Sequence, residues 1–405
     1  MRILMLSSSY PLHATDSASI FLRHLALCLS RAGAEIQVLA PDHVLADESI
    51  QDPAIQLSHF RYLPRRWQTL AYGSGILPNL RRHPWRWFQV PFFMLSMSLA
   101  LARLCRRTRP DVIHAHWILP QGLVAVFVGR LLHIPVVTTA HGGDAFSLRG
   151  GLLGSLKRYT LHHSQAWTAN TRTTAAAVGV INNVTAPHII PMGVDVGHFA
   201  RHEANPAMPP IDKRGRYVIL FVGRLVEKKG VFDLIEAFKQ LPAEQLENTA
   251  LWIIGDGTDR ERLERLAGTL NINSRVCFFG RITNDELPAY YAAADIFVAP
   301  SIVDSSGDTE GQGVVIIEAM ASGVPVVACK VGGIPDVITH EQTGLLVEPQ
   351  NSPALSAAIS RLLHDSDLRH QLSYVAQQRA CQHYAWESIA KQFLSLFASI
   401  ANKQQ

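Results

Sequence analysis

The chain has 405 residues, of which 48% are hydrophobic and 17% charged. That balance excludes a disordered polyelectrolyte, and the length exceeds what one ordinary core fills, so two domains are expected. The net charge of +4 divides unevenly: residues 1–200 carry 18 Lys+Arg against 9 Asp+Glu, and the remainder 19 against 24.

The opening, MRILMLSSSYP, holds an apolar run too short for a secretory signal and reads as a buried first strand, Arg2–Leu6. A helix over Ile20–Arg31 leads to a second strand, Glu35–Leu39. Next comes a stretch from Arg61 to Arg109 with ten arginines and no acidic residue. Trp67, Trp85 and Trp87 are interleaved with those arginines, the composition of a surface that meets anionic lipid. The reading left beside it is that these arginines are solvated or hold an acceptor's phosphate. The apolar run Val90–Leu104 falls short of the ~18–20 residues of a spanning helix, so no transmembrane segment is expected.

Strands at Val112–Ala115 and Val136–Thr139 follow. The second half continues with strands Tyr217–Val222, Ala250–Ile254, Val276–Phe279, Ile296–Ala299 and Val326–Ala328. Helices fit Val231–Gln240, Asp259–Leu270, Glu286–Ala293 and Gly313–Ala321 between them. Short β-rich runs alternating with amphipathic segments predict α/β domains with parallel sheets. The proline-rich stretch 202–214 reads as a linker. The expected division is residues 1–200, residues 201–383, and a last amphipathic segment, 384–405, that packs on either domain. None of the five cysteines forms a Cys-x-x-Cys pair, which predicts reduced thiols in a cytosolic protein.

Three segments carry chemistry. In TEGQGVVIIEAMASGVPVVA, Glu310 and Glu318 flank a turn built on Gly311 and Gly313. The start of the helix beyond Gly313 offers free N–H groups and a positive dipole end to an anion such as a diphosphate. Glu310 beside it is placed to accept hydrogen bonds from sugar hydroxyls, and Glu318 from a second set such as a ribose. In LFVGRLVEKKG, Arg224 and Lys229 follow a buried strand at its carboxyl end, where open α/β sheets bind ligands. Two cations there either neutralise a diphosphate as its bond breaks, in place of the divalent metal that carboxylates would hold, or form a solvated basic turn. In DVIHAHWILPQG and VVTTAHGGDAF, His141 follows a strand and precedes two glycines, a position from which it meets a ligand. His114 and His116 read as core histidines, and a zinc site lacks a third ligand.

These segments together resemble the retaining glycosyltransferases of family 4, which have the GT-B fold of two Rossmann-like doubly wound domains facing across a cleft. VGRL…KKG, IIGDG, FFGRI, the spaced glutamates and GGIPDVI carry the resemblance, which covers nearly the whole chain. It implies a nucleoside-diphosphate sugar as co-substrate and no metal. It implies that Arg224 and Lys229 bind the diphosphate, with the backbone of Gly313 and Val314, and that Glu310 binds the donor sugar. It further implies that Glu318 holds the ribose, that Arg281 and Ile282 meet the base through backbone, and that His141 lies near the transferred sugar. The C-terminal helix is expected to cross back to the first domain. Two positions depart from the family's pattern. Ser17, Ala18 and Ser19 stand near the place where the family often has a Gly-Gly pair. Gln312 replaces the aromatic between its glycines, which predicts a more polar donor-sugar pocket.

HAHWILPQG and HGGD look like enzymes of bacterial surface polysaccharides. They imply a glycan or polyprenyl-linked acceptor and a place in the cytoplasm, peripheral to the inner face of the plasma membrane. Nucleic acid is not an expected partner. A nucleotide-sugar epimerase, a sugar phosphorylase or a non-catalytic membrane-associated protein on the same architecture remain alternatives. A dinucleotide oxidoreductase would need Gly-x-Gly-x-x-Gly after a strand, which is absent.

Overall fold

The computed structural model describes every residue except 14, 15, 17, 18, 48–51, 74, 147–150, 180–184, 201–212, 214, 215 and 402–405. It divides into two compact units, one of Met1–Pro191 with Trp386–Gln405, the other Met192–Ala385. Most of the proline-rich stretch 202–214, and Ser17 and Ala18, lie outside the described residues.

The first unit is built on β1 (Arg2–Leu6), β2 (Glu35–Pro41), β3 (Ile55–Phe60), β4 (Val112–His116), β5 (Val136–Ala140), β6 (Ala166–Ala169) and β7 (His188–Ile189). They form one parallel sheet in the order β3-β2-β1-β4-β5-β6-β7. β4 and β5 are buried along their whole length, as parallel strands covered on both faces should be. The helix Ile20–Arg31 follows the sequence expectation residue for residue.

The second unit is built on β8 (Tyr217–Val222), β9 (Thr249–Ile254), β10 (Val276–Gly280), β11 (Ile296–Ala299), β12 (Val326–Cys329) and β13 (Leu345–Val347). Their order is β10-β9-β8-β11-β12-β13, again parallel throughout. Separate apolar clusters line its two faces, one around Trp252, Phe297 and Met320, the other around Phe221, Ile253 and Phe238.

Each sheet reverses its strand order once. The chain runs outward through β1, β2, β3 and then returns to the other side of β1 with β4. It does the same from β8 to β11. Ligands bind outside the carboxyl ends of strands at such a reversal.

The unit boundary falls at Pro191 and Met192 rather than at residue 200. The Val194 N–H donates to the Tyr384 carbonyl at 2.8 Å, and Phe199 is buried in the second unit's core. The helix Trp386–Ala401 packs in the first unit against Ile20–Arg31, where Phe393 and Phe397 lie 4.9 and 5.2 Å from the ring of His114. β3, β6, β7 and β13 were not legible from pattern. Three of them have four residues or fewer, too short to show a period.

Candidate active site

The reversal in the second sheet places the candidate side chains. β8 ends at Val222, and Gly223 and Arg224 follow at its carboxyl edge, with Arg224 exposed. A short 3-10 turn, Glu227–Lys229, then brings Lys229 back, and it closes on Gly230 at φ 64°. A Cβ at Gly230 would sit 1.9 Å from the Pro300 carbonyl oxygen, just past the end of β11, so only glycine allows this approach. The loop beyond β11 carries Glu310. Lys229 donates directly to the Glu310 carboxylate. Lys228 pairs with Asp308 at 2.9 Å and donates to the Thr309 carbonyl at 3.2 Å, which tethers the same loop. Burial works to raise the Glu310 carboxyl, but Lys229, Lys228 and the Gly313 N–H hold it below the usual carboxylate range.

Glu310 is also held from behind. The Gly333 N–H donates to its carbonyl at 2.9 Å, and Gly332 at φ 56° leaves no room for a side chain, since a Cβ there would lie 2.1 Å from the same oxygen. The Gly-Gly pair of GGIPDVI therefore serves as the floor of the Glu310 loop, a role its spacing did not reveal.

Gly313, at φ 79°, turns the chain into the helix Val314–Ala321, whose first turn points its N–H groups out of the loop. Glu318 lies on the second turn and accepts the Tyr291 hydroxyl at 2.8 Å. Burial pushes its carboxyl up to about 7, partly offset by that hydrogen bond. Tyr291 is fully buried at the end of the helix Leu287–Ala293 and escaped the sequence reading, because a tyrosine in an apolar helix signals only core.

Arg281 and Ile282 follow β10, one exposed and the other packed against the core. The Gly280 carbonyl accepts from Gly255 at 2.7 Å, and a Cβ at Gly255 would meet the Gly223 carbonyl oxygen at 1.9 Å. The ends of β8, β9 and β10 thus stack glycine on glycine beside Arg224. Gln312 is buried, accepting from the Met192 N–H at 2.8 Å and donating to the Met192 carbonyl at 3.0 Å. Both polar atoms of its amide are thus engaged by the Met192 backbone.

In the first unit the carboxyl ends of β4 and β5 present a histidine cluster. His141 Nε2 lies 3.0 Å from His116 Nδ1, and Phe21 and Trp117 pack at 5.1 and 5.0 Å from the His141 ring. His114 Nε2 meets the Thr139 hydroxyl at 2.7 Å. Burial drives His114 and His141 down to about 3 and His116 well below its ordinary value, so all three rings are neutral. The Asp144 carboxylate accepts the N–H of Ile118 at 2.8 Å and of His141 at 2.9 Å, tying the two loops together. His114 and His116 are core residues, as expected, while His141 is half-buried at the edge.

Comparison with known proteins matches residues 18–198 to the model of Glycosyltransferase Family 4 and residues 208–379 to that of Glycosyl transferases group 1. The chain is a glycosyltransferase with a Glycosyltransferase Family 4 domain followed by a Glycosyl transferases group 1 domain. This glycosyltransferase is 27% identical to a glycogen synthase of Mycobacterium tuberculosis over 400 residues, covering 96% of this chain and 92% of that one. It is 33% identical over 206 residues to a GDP-mannose-dependent phosphatidylinositol monomannoside mannosyltransferase of the same organism, covering 50% and 53%. Among solved structures, Anabaena HepE in complex with UDP superposes with a TM-score of 0.76 at 21% identity, over 98% of this chain and 100% of that one. A sucrose-phosphate synthase from Thermosynechococcus elongatus gives 0.75 at 23%, over 99% of each. The glycosyltransferase has the GT-B fold of these neighbours.

Proposed function

We propose that this glycosyltransferase moves a sugar, with retention at the anomeric carbon and without a metal ion, from a nucleoside-diphosphate sugar to a glycan or lipid-linked acceptor in cell-surface polysaccharide synthesis. The observation that carries the reading is the pairing of Lys229 with Glu310 beside the start of the helix Val314–Ala321, at the strand-order reversal of the second sheet. An ammonium, a guanidinium at Arg224 and a helix N-terminus are the donors a departing diphosphate needs. Glu310 accepts from sugar hydroxyls once the diphosphate takes over Lys229, and Glu318 accepts from the ribose. The resemblance assigns His141 to the transferred sugar and the backbone of Arg281 and Ile282 to the base.

In the transfer the bond from the anomeric carbon to the diphosphate oxygen breaks. The acceptor oxygen bonds to that carbon on the same face, and its proton passes to the leaving phosphate. Relatives support the substrate classes. One is named for GDP-mannose and a phosphatidylinositol mannoside, another, 26% identical over 377 residues, as a putative teichuronic acid biosynthesis enzyme, and HepE binds UDP.

The test is a thermal-shift series of nucleoside diphosphates on wild type and Lys229→Ala. One nucleotide should raise Tm in the wild type, by mass action, and far less in the variant. Equal shifts in both proteins would remove Lys229 from the diphosphate site. Turnover of a donor alone to an epimer would favour the epimerase alternative.

A further inference from the structure

The arginine-rich stretch of the first unit contains a helix that the glycosyl-transfer site does not use. It runs from Gln89 to Thr108 behind a 3-10 turn, Pro84–Phe88. One face is core: Phe93, Met97 and Leu101 are at most 1% exposed and belong to the apolar cluster that includes Leu4, Phe60 and Ile113. The opposite face is apolar and open. Phe88, Phe92, Leu95 and Leu99 are each between 47% and 60% exposed and recur at helical spacing, so they form one stripe. Trp85 stacks on Phe88 with ring centroids 5.8 Å apart, and the neighbouring helix Leu123–Leu132 exposes Phe127 and Leu131.

Charge frames that stripe. Continued along the same helix face it reaches Arg103 and Arg106, and at the other end stand Arg81 and Arg86, the latter 5.8 Å over the Trp85 ring. No acidic residue occurs from Arg61 to Arg109. Not every arginine of the stretch belongs to this surface. Arg61 and Arg65 both pair with the buried carboxylate of Asp42, Arg65 at 2.8 and 3.1 Å. The structure thus narrows a broad cationic region to one helix face.

We propose that this face docks on an anionic phospholipid bilayer, with the helix lying in the interface plane, Phe88, Phe92, Leu95 and Leu99 among the acyl chains and the flanking arginines at the phosphates. The complementarity of sign selects this occupant over an uncharged apolar partner. An apolar band with aromatic and arginine ends is the pattern of an interfacial helix. The helical segment Pro84–Thr108 has 25 residues, longer than the apolar run read from the sequence, and an 18-residue window within it has a mean hydropathy of 1.5, sufficient by length and composition to span. Spanning would require pulling Phe93, Met97 and Leu101 out of the core of the first unit, so the buried face makes the helix lie flat.

The test uses the full chain without any donor, and its outcome is independent of the transfer reading. Co-sedimentation is measured with phosphatidylcholine vesicles and with vesicles of equal phosphatidylcholine and phosphatidylglycerol, at low and high salt. Binding is expected on the anionic vesicles only, weakening as salt screens the arginines. Phe92→Glu and Leu95→Glu should each lower the partition coefficient by roughly tenfold. Tyr374→Glu, at a still more exposed aromatic in the second unit, should bind as wild type. Circular dichroism checks that each variant is folded. Lack of binding at low salt, or unchanged binding by both stripe variants, overturns the proposal. So does a concentration-dependent dimer that these variants dissolve, since the face would then belong to a second copy.

Discussion

Tyr291 donates its hydroxyl to Glu318 at 2.8 Å, and this bond joins two helices beneath the second unit's strand-order reversal. Glu318 titrates near 7 when folded against an ordinary value of 4.5. Between those values the folded chain holds a proton that the unfolded chain has lost. Its contribution to stability is therefore complete below pH 4.5, falls as pH rises toward 7 and is lost above it, with a slope of up to ~1.4 kcal/mol per pH unit. Denaturation of wild type and Glu318→Gln across that window should diverge in this direction. Nucleotide binding should run the other way, tightening toward pH 7 as the carboxylate forms to accept from a diol, with a proton released that calorimetry in buffers of different ionisation enthalpy detects.

The first unit should show the opposite pH response. His114, His116 and His141 are buried neutral, with folded values near 3 for two of them, whereas unfolded histidines charge near 6.5. Their contribution is whole above pH 6.5 and declines as pH falls toward 3. A His114→Asn variant should flatten part of that acid loss in urea unfolding followed by tryptophan fluorescence, to which Trp167, buried in this unit, contributes. Unchanged acid sensitivity would mean that the cluster does not stay neutral.

On the proposed reading Lys229→Ala removes a diphosphate donor, and it strands Glu310. Transfer activity should fall by roughly 10²–10³ in kcat, the usual cost of one charge-stabilising donor. Lys229→Arg should recover only part of it, because the planar fork does not fit a point contact.

Gly332→Ala tests the floor of the Glu310 loop. With φ at 56° and the Glu310 carbonyl oxygen 2.1 Å from the new methyl, the loop must shift. Loss of nucleotide-induced stabilisation is expected together with a destabilisation of at least ~1–3 kcal/mol. A variant that binds nucleotide like wild type would show that the loop is not held from that side.

Gln312→Ala separates a clamp from a pocket wall. Two hydrogen bonds to Met192 are lost and buried backbone groups are left open, so stability should drop by about 2–3 kcal/mol. KM for the donor should move little, whereas a residue lining the sugar pocket would raise it.

The local order of this protein is written in its sequence because apolar period and glycine placement act over a few residues. The strands Arg2–Leu6, Tyr217–Val222 and Ile296–Ala299 and the turn at Gly313 are read without any partner. So are Arg224, Lys229 and Glu310, since charged residues at strand ends and beside glycines are conspicuous among apolar runs. What joins distant segments needed the tertiary structure. Lys229 meets Glu310 across 81 positions, Gln312 meets Met192 across 120, and Tyr291 meets Glu318 across 27. Such pairs depend on which strand lies beside which, and strand order comes from packing over the whole sheet. The same holds for the arginine-rich stretch, where composition announces a cationic surface but only burial tells the face of Phe92 from that of Phe93.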